Sequence, residues 1–236
     1  MMTGMSPRFY NVDCMEFMQS LEDKCVDFTL TDVPYAFVER GTSESIRNLE
    51  YGAANAATFD LQKFLDQVTR ITKNGCCIFC GWDQFSQIVT HFMAQKGTVR
   101  PLIWEKTNPL PLNGELNYLS AVELAVWWRA PNAPFNAKFK SNVLRFPVQP
   151  GDKIKSHPTK KNVDLFKEIV LDNTNPGDLV FDPCCGSGTT IEACLQTNRQ
   201  YLACELDPMF YQTTDKYLYQ NYSMLLSMVE DFNYGN

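Results

Sequence analysis

The stretch LVFDPCCGSGTTIEACL, Leu179 to Leu195, decides the fold class. An apolar run ends in Asp182, turns through Gly186, Ser187 and Gly188, and passes into a helical pattern opened by Thr189 and Thr190. Glycines at such a turn let the backbone adopt positive φ and let a ligand approach with no Cβ in the way. A plain strand-to-helix turn also uses a glycine pair, so the loop needs a second feature to carry weight. The next apolar run, RQYLACELD (199–207), supplies it. It ends in Glu205, fewer than thirty residues on, where an acid in a parallel α/β sheet accepts from the two hydroxyls of a ribose.

Loop and acid point to a nucleoside cofactor. No G-x-x-x-x-G-K-[ST] phosphate cradle is present, and acidic Asp182 beside the turn suits an ammonium or a sulfonium. S-adenosylmethionine carries both.

Working outward, short apolar runs alternate with helical patterns. CVDFTLT, GCCIFCGW, VRPLIW, VELAVWW and DLVFD read as strands, with FDLQKFLDQVTRIT, DQFSQIVTHFMAQK, KKNVDLFKEIVLDNT and GTTIEACLQTN as helices between them. The last helix starts at Asp207 as N-cap and Pro208 as its first residue. The expected fold is α/β, a doubly wound, mostly parallel sheet, in one domain over 1–236. Two polar segments break the alternation, 36–58 and 129–156, and long irregular segments in a compact domain are usually functional. They are expected to be a mobile loop and a recognition segment.

Composition narrows the classes further. No apolar run approaches the roughly 20 residues of a membrane helix, and the N-terminus lacks the order of a signal peptide, so a soluble cytoplasmic protein is expected. The nine cysteines are odd in number and several lie in strand-like runs, which reads as reduced, buried thiols. Strand geometry splays Cys77 and Cys80, and no second pair or His cluster supports a metal site. The net charge of −6 conceals a basic stretch, Lys138 to Lys161, with seven basic residues against one acid. Alone, such a stretch reads as a solvated loop or as a phosphate-contacting face.

At this point the sequence resembles the amino-methyltransferases of DNA, which methylate N6 of adenine or N4 of cytosine, in their permuted, beta-type motif order. DPCCGSGTT is similar to the family's D-P-F-x-G-S-G-T-T, TDVPY to its T-D-P-P-Y, and SHPTKKNVDL to its H-P-T-x-K-P. The resemblance covers nearly the whole chain. It implies an S-adenosylmethionine-dependent methyltransferase (Rossmann-like) fold with a small target-recognition insert. It also implies that Asp182, Cys184, Gly186, Ser187 and Gly188 line the methionine end of the cofactor and that Glu205 binds its ribose. His157, Thr159 and Lys161 would sit beside the same pocket, with Lys161 near the cofactor carboxylate. Asp13 either accepts from the adenine amino group or simply caps the helix CMEFMQSL.

The resemblance gives TDVPY a chemical role. An aromatic amine is a poor nucleophile because its lone pair is delocalised into the ring. Asp32's carboxylate and the Val33 carbonyl can accept its two hydrogens and draw the lone pair out, while Tyr35 offers a stacking face. A duplex buries its amino groups, so the base must be flipped into this pocket. The gain comes from positioning and electrostatics. Valine stands where the family has its first proline, but the carbonyl remains, and Pro34 still keeps Val33 extended. Cys184 replaces an aromatic, and Asn162 replaces a proline, which alters how the following helix starts.

The expected partner is double-stranded DNA, held through Lys138, Lys140, Arg145, Lys153 and Lys155, with a homodimer implied by resemblance alone. Trp104, Trp128 and Tyr118 are read as core rather than base-stacking residues. Asp32 favours an adenine-N6 enzyme of the restriction-modification kind over a cytosine-N4 one, which more often has serine there. Transfer to RNA or to a protein amide usually goes with Asn at that position. A non-catalytic nucleic-acid-binding relative is the remaining class.

Overall fold

A computed structural model describes residues 8–34, 59–111, 114–149 and 160–231. The elements in order are β1 (Arg8–Asn11), α1 (Cys14–Ser20), β2 (Val26–Asp32), α2 (Leu61–Ile71), β3 (Thr72–Cys80), α3 (Trp82–Met93), β4 (Thr98–Lys106), β5 (Val122–Arg129), β6 (Val143–Phe146), α4 (Val163–Asn173), β7 (Leu179–Asp182), α5 (Thr189–Thr197), β8 (Gln200–Glu205) and α6 (Pro208–Asp231). Eight strands form one sheet in the order β1-β8-β7-β2-β3-β5-β4-β6. All neighbours pair in parallel except β5, which is antiparallel to both β3 and β4.

Local sequence explains the main elements. In α2, Leu61, Phe64, Leu65, Val68 and Ile71 repeat at helical spacing and are all buried, and Asp60 caps the first turn. β7 is apolar on both faces and fully buried, as a central parallel strand requires. Alternation sorts neighbouring residues to opposite faces: Cys76, Ile78 and Cys80 of β3 join Met18, Phe64, Ile88 and Phe92 on one side. Cys77 and Phe79 join Leu165, Ile169, Ile191 and Leu218 on the other. Helices α1, α2 and α3 thus cover one face, and α4, α5 and α6 the other.

The nine thiols are free, and Cys77 and Cys80 lie on opposite faces. Asp207 caps α6 through the Met209 and Phe210 amides, and that helix kinks at Tyr222, where φ is −131°. No helix among the described residues is long and apolar enough to cross a membrane.

Connections run one way from β7 to β8 and the other way from β2 to β3, so the β2/β7 junction is the topological switch point. In such sheets the ligand crevice lies outside the C-terminal edge at that point, and both Asp32 and Asp182 are last residues of their strands.

Candidate active site

Across the switch point, Thr31 of β2 donates to Asp182 Oδ1 at 2.8 Å, and Thr190 of α5 donates to Oδ2 at 2.5 Å. The Cys184 amide donates to Oδ1 at 3.1 Å. Sequence reading has Asp182 facing a cationic ligand; the structure has a buried carboxyl, 3 % exposed, that ties β2, β7 and α5 into one corner. Burial pushes it up to about 7 against the pull of its three donors, which favour the ionised form.

The turn that follows depends on its glycines. Gly186 and Gly188 have φ of +51° and +78°. A Cβ on Gly188, the N-cap of α5, would lie 2.8 Å from Thr214 Cγ2, while the Thr214 hydroxyl donates to the Gly186 carbonyl at 2.8 Å. Glu205 accepts from the Gly186 amide at 2.9 Å and from the Asp207 amide at 2.8 Å, which fixes its carboxylate at the end of β8. Burial pushes that carboxyl up. Ser187 is buried, with Oγ 3.4 Å from Thr189 Oγ1. A glycine-flanked turn between two acids, with no basic residue on it, fits a cationic nucleoside and not a phosphate.

Asp13 caps α1, its Oδ1 accepting from the Met15 and Glu16 amides at 2.7 and 3.2 Å. The preceding Val12 amide donates to the Glu205 carbonyl, so Asp13 also stands at the Glu205 edge of the crevice. Cys184 meets Cys14 there, and this thiol contact, with burial, raises the Cys184 pKa.

The other half of the crevice is built on β2. The Val33 amide donates to the Phe79 carbonyl at 3.1 Å, and a regular parallel ladder would return the Gly81 amide to the Val33 carbonyl. Gly81 instead donates to Gln84 Oε1 at 3.0 Å, and Gln84 Nε2 donates to the Pro34 carbonyl at 2.8 Å. No donor among the described residues reaches the Val33 carbonyl. The sequence hides this role of Gln84, since a glutamine in the first turn of a helix is unremarkable.

Asp32 Oδ2 lies 2.8 Å from Lys161 Nζ. Lys161 also donates to Glu123 Oε2 at 2.5 Å, and Lys106 lies 3.0 Å from Glu123 Oε1. Burial alone would raise the Glu123 carboxyl, but Lys161 and Lys106 outweigh it and hold it below the usual range. Glu123 and Lys106 escaped sequence reading; the only signal was an acid inside the apolar run VELAVWW. Asn162 is the N-cap of α4, accepting from the Leu165 amide at 2.9 Å, so the family's proline is replaced by a cap.

Several expected residues are not brought to this crevice. β6 runs parallel to β4, so its N-terminal end, and Lys138 and Lys140 before it, lie at the sheet edge opposite Asp32. Lys140 pairs with Glu168 and Asp172 at the far end of α4, at 2.7 and 2.6 Å, and Arg145 pairs with Glu105 at 3.0 Å. Trp104 and Trp128 are core, but Tyr118 is fully exposed beyond the β4–β5 hairpin, which corrects its core assignment. Tyr35, Lys153, Lys155, His157 and Thr159 lie outside the described residues, as do segment 36–58 and the end of 129–156. No cluster of metal-ligating side chains occurs among the described residues.

Comparison with known proteins gives the family. The family model described as DNA methylase, of the N6/N4 type, matches residues 26–216. The Type II methyltransferase M2.MboI of Moraxella bovis is 25% identical, over 88% of this chain and 85% of its own. The crystal structure of an M1.HpyAVI–SAM complex is 27% identical, with a TM-score of 0.68 over 89% of this chain and 99% of that one. The cytosine-N4-specific PvuII DNA methyltransferase has a TM-score of 0.70 over 96% of this chain and 93% of its own, at 15% identity, which is a likeness of fold. With the model matched from β2 into α6, the chain belongs to the DNA methylase family of N6/N4 amino-methyltransferases.

Proposed function

We propose that this chain transfers a methyl group from S-adenosylmethionine to the N6 amino group of adenine in double-stranded DNA, with the base flipped out of the duplex. One observation carries the reading: the Asp32 carboxylate and a Val33 carbonyl with no described donor stand side by side at the end of β2, next to the glycine turn after β7. S-adenosylmethionine, bound along that turn and Glu205, supplies an electrophilic methyl group. Asp32 and the Val33 carbonyl accept hydrogen bonds from the two amine N–H groups, hold the nitrogen in line and draw its lone pair out of the ring. As the N–C bond forms the S–CH3 bond breaks, the sulfur leaves as a neutral thioether and the surplus proton on nitrogen passes to solvent. Asp182 acts on the cofactor through the corner it holds together. Tyr35 is assigned the stacking face, and Lys153 and Lys155, close in sequence to Lys160, the phosphate contacts.

Purified protein incubated with labelled S-adenosylmethionine and duplex DNA is expected to label the DNA, and digestion with mass analysis is expected to give N6-methyladenine. N4-methylcytosine would move the target base; no transfer to any duplex would overturn the reading.

Gln84 has a place in this reaction. Gln84→Leu keeps the side-chain volume, releases Pro34 and frees the Gly81 amide to complete the ladder onto the Val33 carbonyl. Methyl transfer is expected to fall about tenfold, the equivalent of about 1.4 kcal/mol, with cofactor affinity unchanged. A wild-type rate would show that the carbonyl needs no such help.

A further inference from the structure

We propose that Lys161 and Glu123 form a strut that positions the Asp32 carboxylate for the target amine, so that Lys161 is not a ligand of the cofactor's carboxylate. The inference rests on the methyl-transfer reading above and assigns Glu123, on an element outside the three sequence motifs, a part in it.

The geometry is a chain of alternating charges: Lys106, Glu123, Lys161, Asp32, with successive contacts of 3.0, 2.5 and 2.8 Å. Lys161 is only 7 % exposed and two of its three N–H donors point at carboxylates. A lysine has four rotatable side-chain bonds, so a lysine held only by Asp32 would follow Asp32 rather than fix it. Here it is held from both ends. Its backbone root is set by the adjacent Asn162, which caps α4 and donates to the Pro147 carbonyl at 2.9 Å. Its ammonium is held by Glu123, whose own backbone lies in the β4–β5 ladder opposite Trp104, a buried residue.

With Lys161 on Oδ2, rotation of the Asp32 carboxylate about Cβ–Cγ is set, and with it the direction of Oδ1. An amine acceptor must be aimed to within a fraction of an ångström, and a buried ammonium held from both ends is a fixed point for a carboxylate that is 27% exposed. Two of its three N–H donors are committed to Asp32 and Glu123, and trading either for the cofactor's carboxylate would break the chain of charges at that link.

Glu123→Gln, Lys161→Gln and the double variant separate these roles, with thermal melting to confirm that each is folded. Cofactor affinity is measured by calorimetry with S-adenosylmethionine, and transfer by single turnover at saturating cofactor and duplex. The expected result is cofactor affinity within about threefold of wild type in all three. Transfer is expected to slow about 10- to 30-fold in Glu123→Gln and about 100-fold in Lys161→Gln. Adding Glu123→Gln to Lys161→Gln is expected to cost little more, because the two act in series. Glu123→Asp is expected to recover part of the rate. A tenfold or greater loss of cofactor affinity in Lys161→Gln overturns the proposal, and so does a wild-type rate in Glu123→Gln. If wild-type protein transfers nothing to DNA, the methyl-transfer reading fails, while the affinity comparison still decides where Lys161 acts.

Discussion

Asp32→Ala is expected to lower methyl transfer by about 10³-fold or more while S-adenosylmethionine affinity stays within about threefold. The substitution removes one of two acceptors that must engage the amine as charge develops on its nitrogen, and loss of one such preorganised group typically costs about 10²- to 10³-fold. A second loss adds to it: Lys161, almost fully buried, keeps only Glu123 as its described carboxylate partner. Cofactor binding is spared because the loop and Glu205 belong to β7 and β8, on the other side of the switch point. Asp32→Asn distinguishes charge from shape. It keeps one acceptor oxygen but turns an amide donor toward either Lys161 or the amine, so its rate is expected to fall between wild type and the alanine variant. Single-turnover transfer with calorimetric cofactor binding checks both substitutions. Transfer by Asp32→Ala within tenfold of wild type would remove Asp32 from the reaction.

The elements that sequence reading placed well are those with strong periodicity or a named turn. α2 shows its buried stripe directly, Asp207 and Pro208 announce α6, and the glycine turn has the positive φ that its composition demands. β1 and β6 were not legible as strands. Each is four residues long, at an outer edge of the sheet, and RFYN and VLRF are too short to display an alternation. Partly illegible too was the use of charge. Seven basic residues in one stretch look like a single face, yet strand direction sends Lys138 and Lys140 to one edge of the sheet and Lys160 and Lys161 to the other. Lys160 turns inward to Glu192 at 2.6 Å, with the Tyr217 and Tyr222 hydroxyls donating to the same carboxylate. Partners such as Glu123 and Glu192 come from other elements, so no local window could have paired them.

Raising the pH from about 4 to about 8 is expected to destabilise the ligand-free protein, with Asp182 as the main cause. Its carboxyl moves from an ordinary 3.8 to about 7 because burial disfavours the ionised form more than Thr31, Thr190 and the Cys184 amide favour it. Well below pH 4 the group is protonated in the folded and unfolded chains alike and costs nothing. Between 4 and 7 the unfolded chain gives up its proton first, so stability falls through that window and levels off above it. A shift of about three units corresponds to about 4 kcal/mol. Glu205, also raised by burial, acts in the same direction. Asp60 and Glu123 are lowered instead, and their contributions are lost only as the pH falls through their folded values on the acid side. Stability is therefore expected to peak on the acid side of neutral. Asp182→Asn removes the titration while keeping the shape. Both threonine hydroxyls can donate or accept, so each can turn to suit an amide oxygen or an amide NH2. Denaturant unfolding of the variant from pH 4 to 8 is expected to give a flatter profile and, at pH 8, stability equal to or above wild type. A wild-type slope in Asp182→Asn would mean that another buried group carries the titration. A flat profile with lost cofactor binding would mean that the ionised carboxylate, costly to the folded chain by itself, is needed for binding the cofactor.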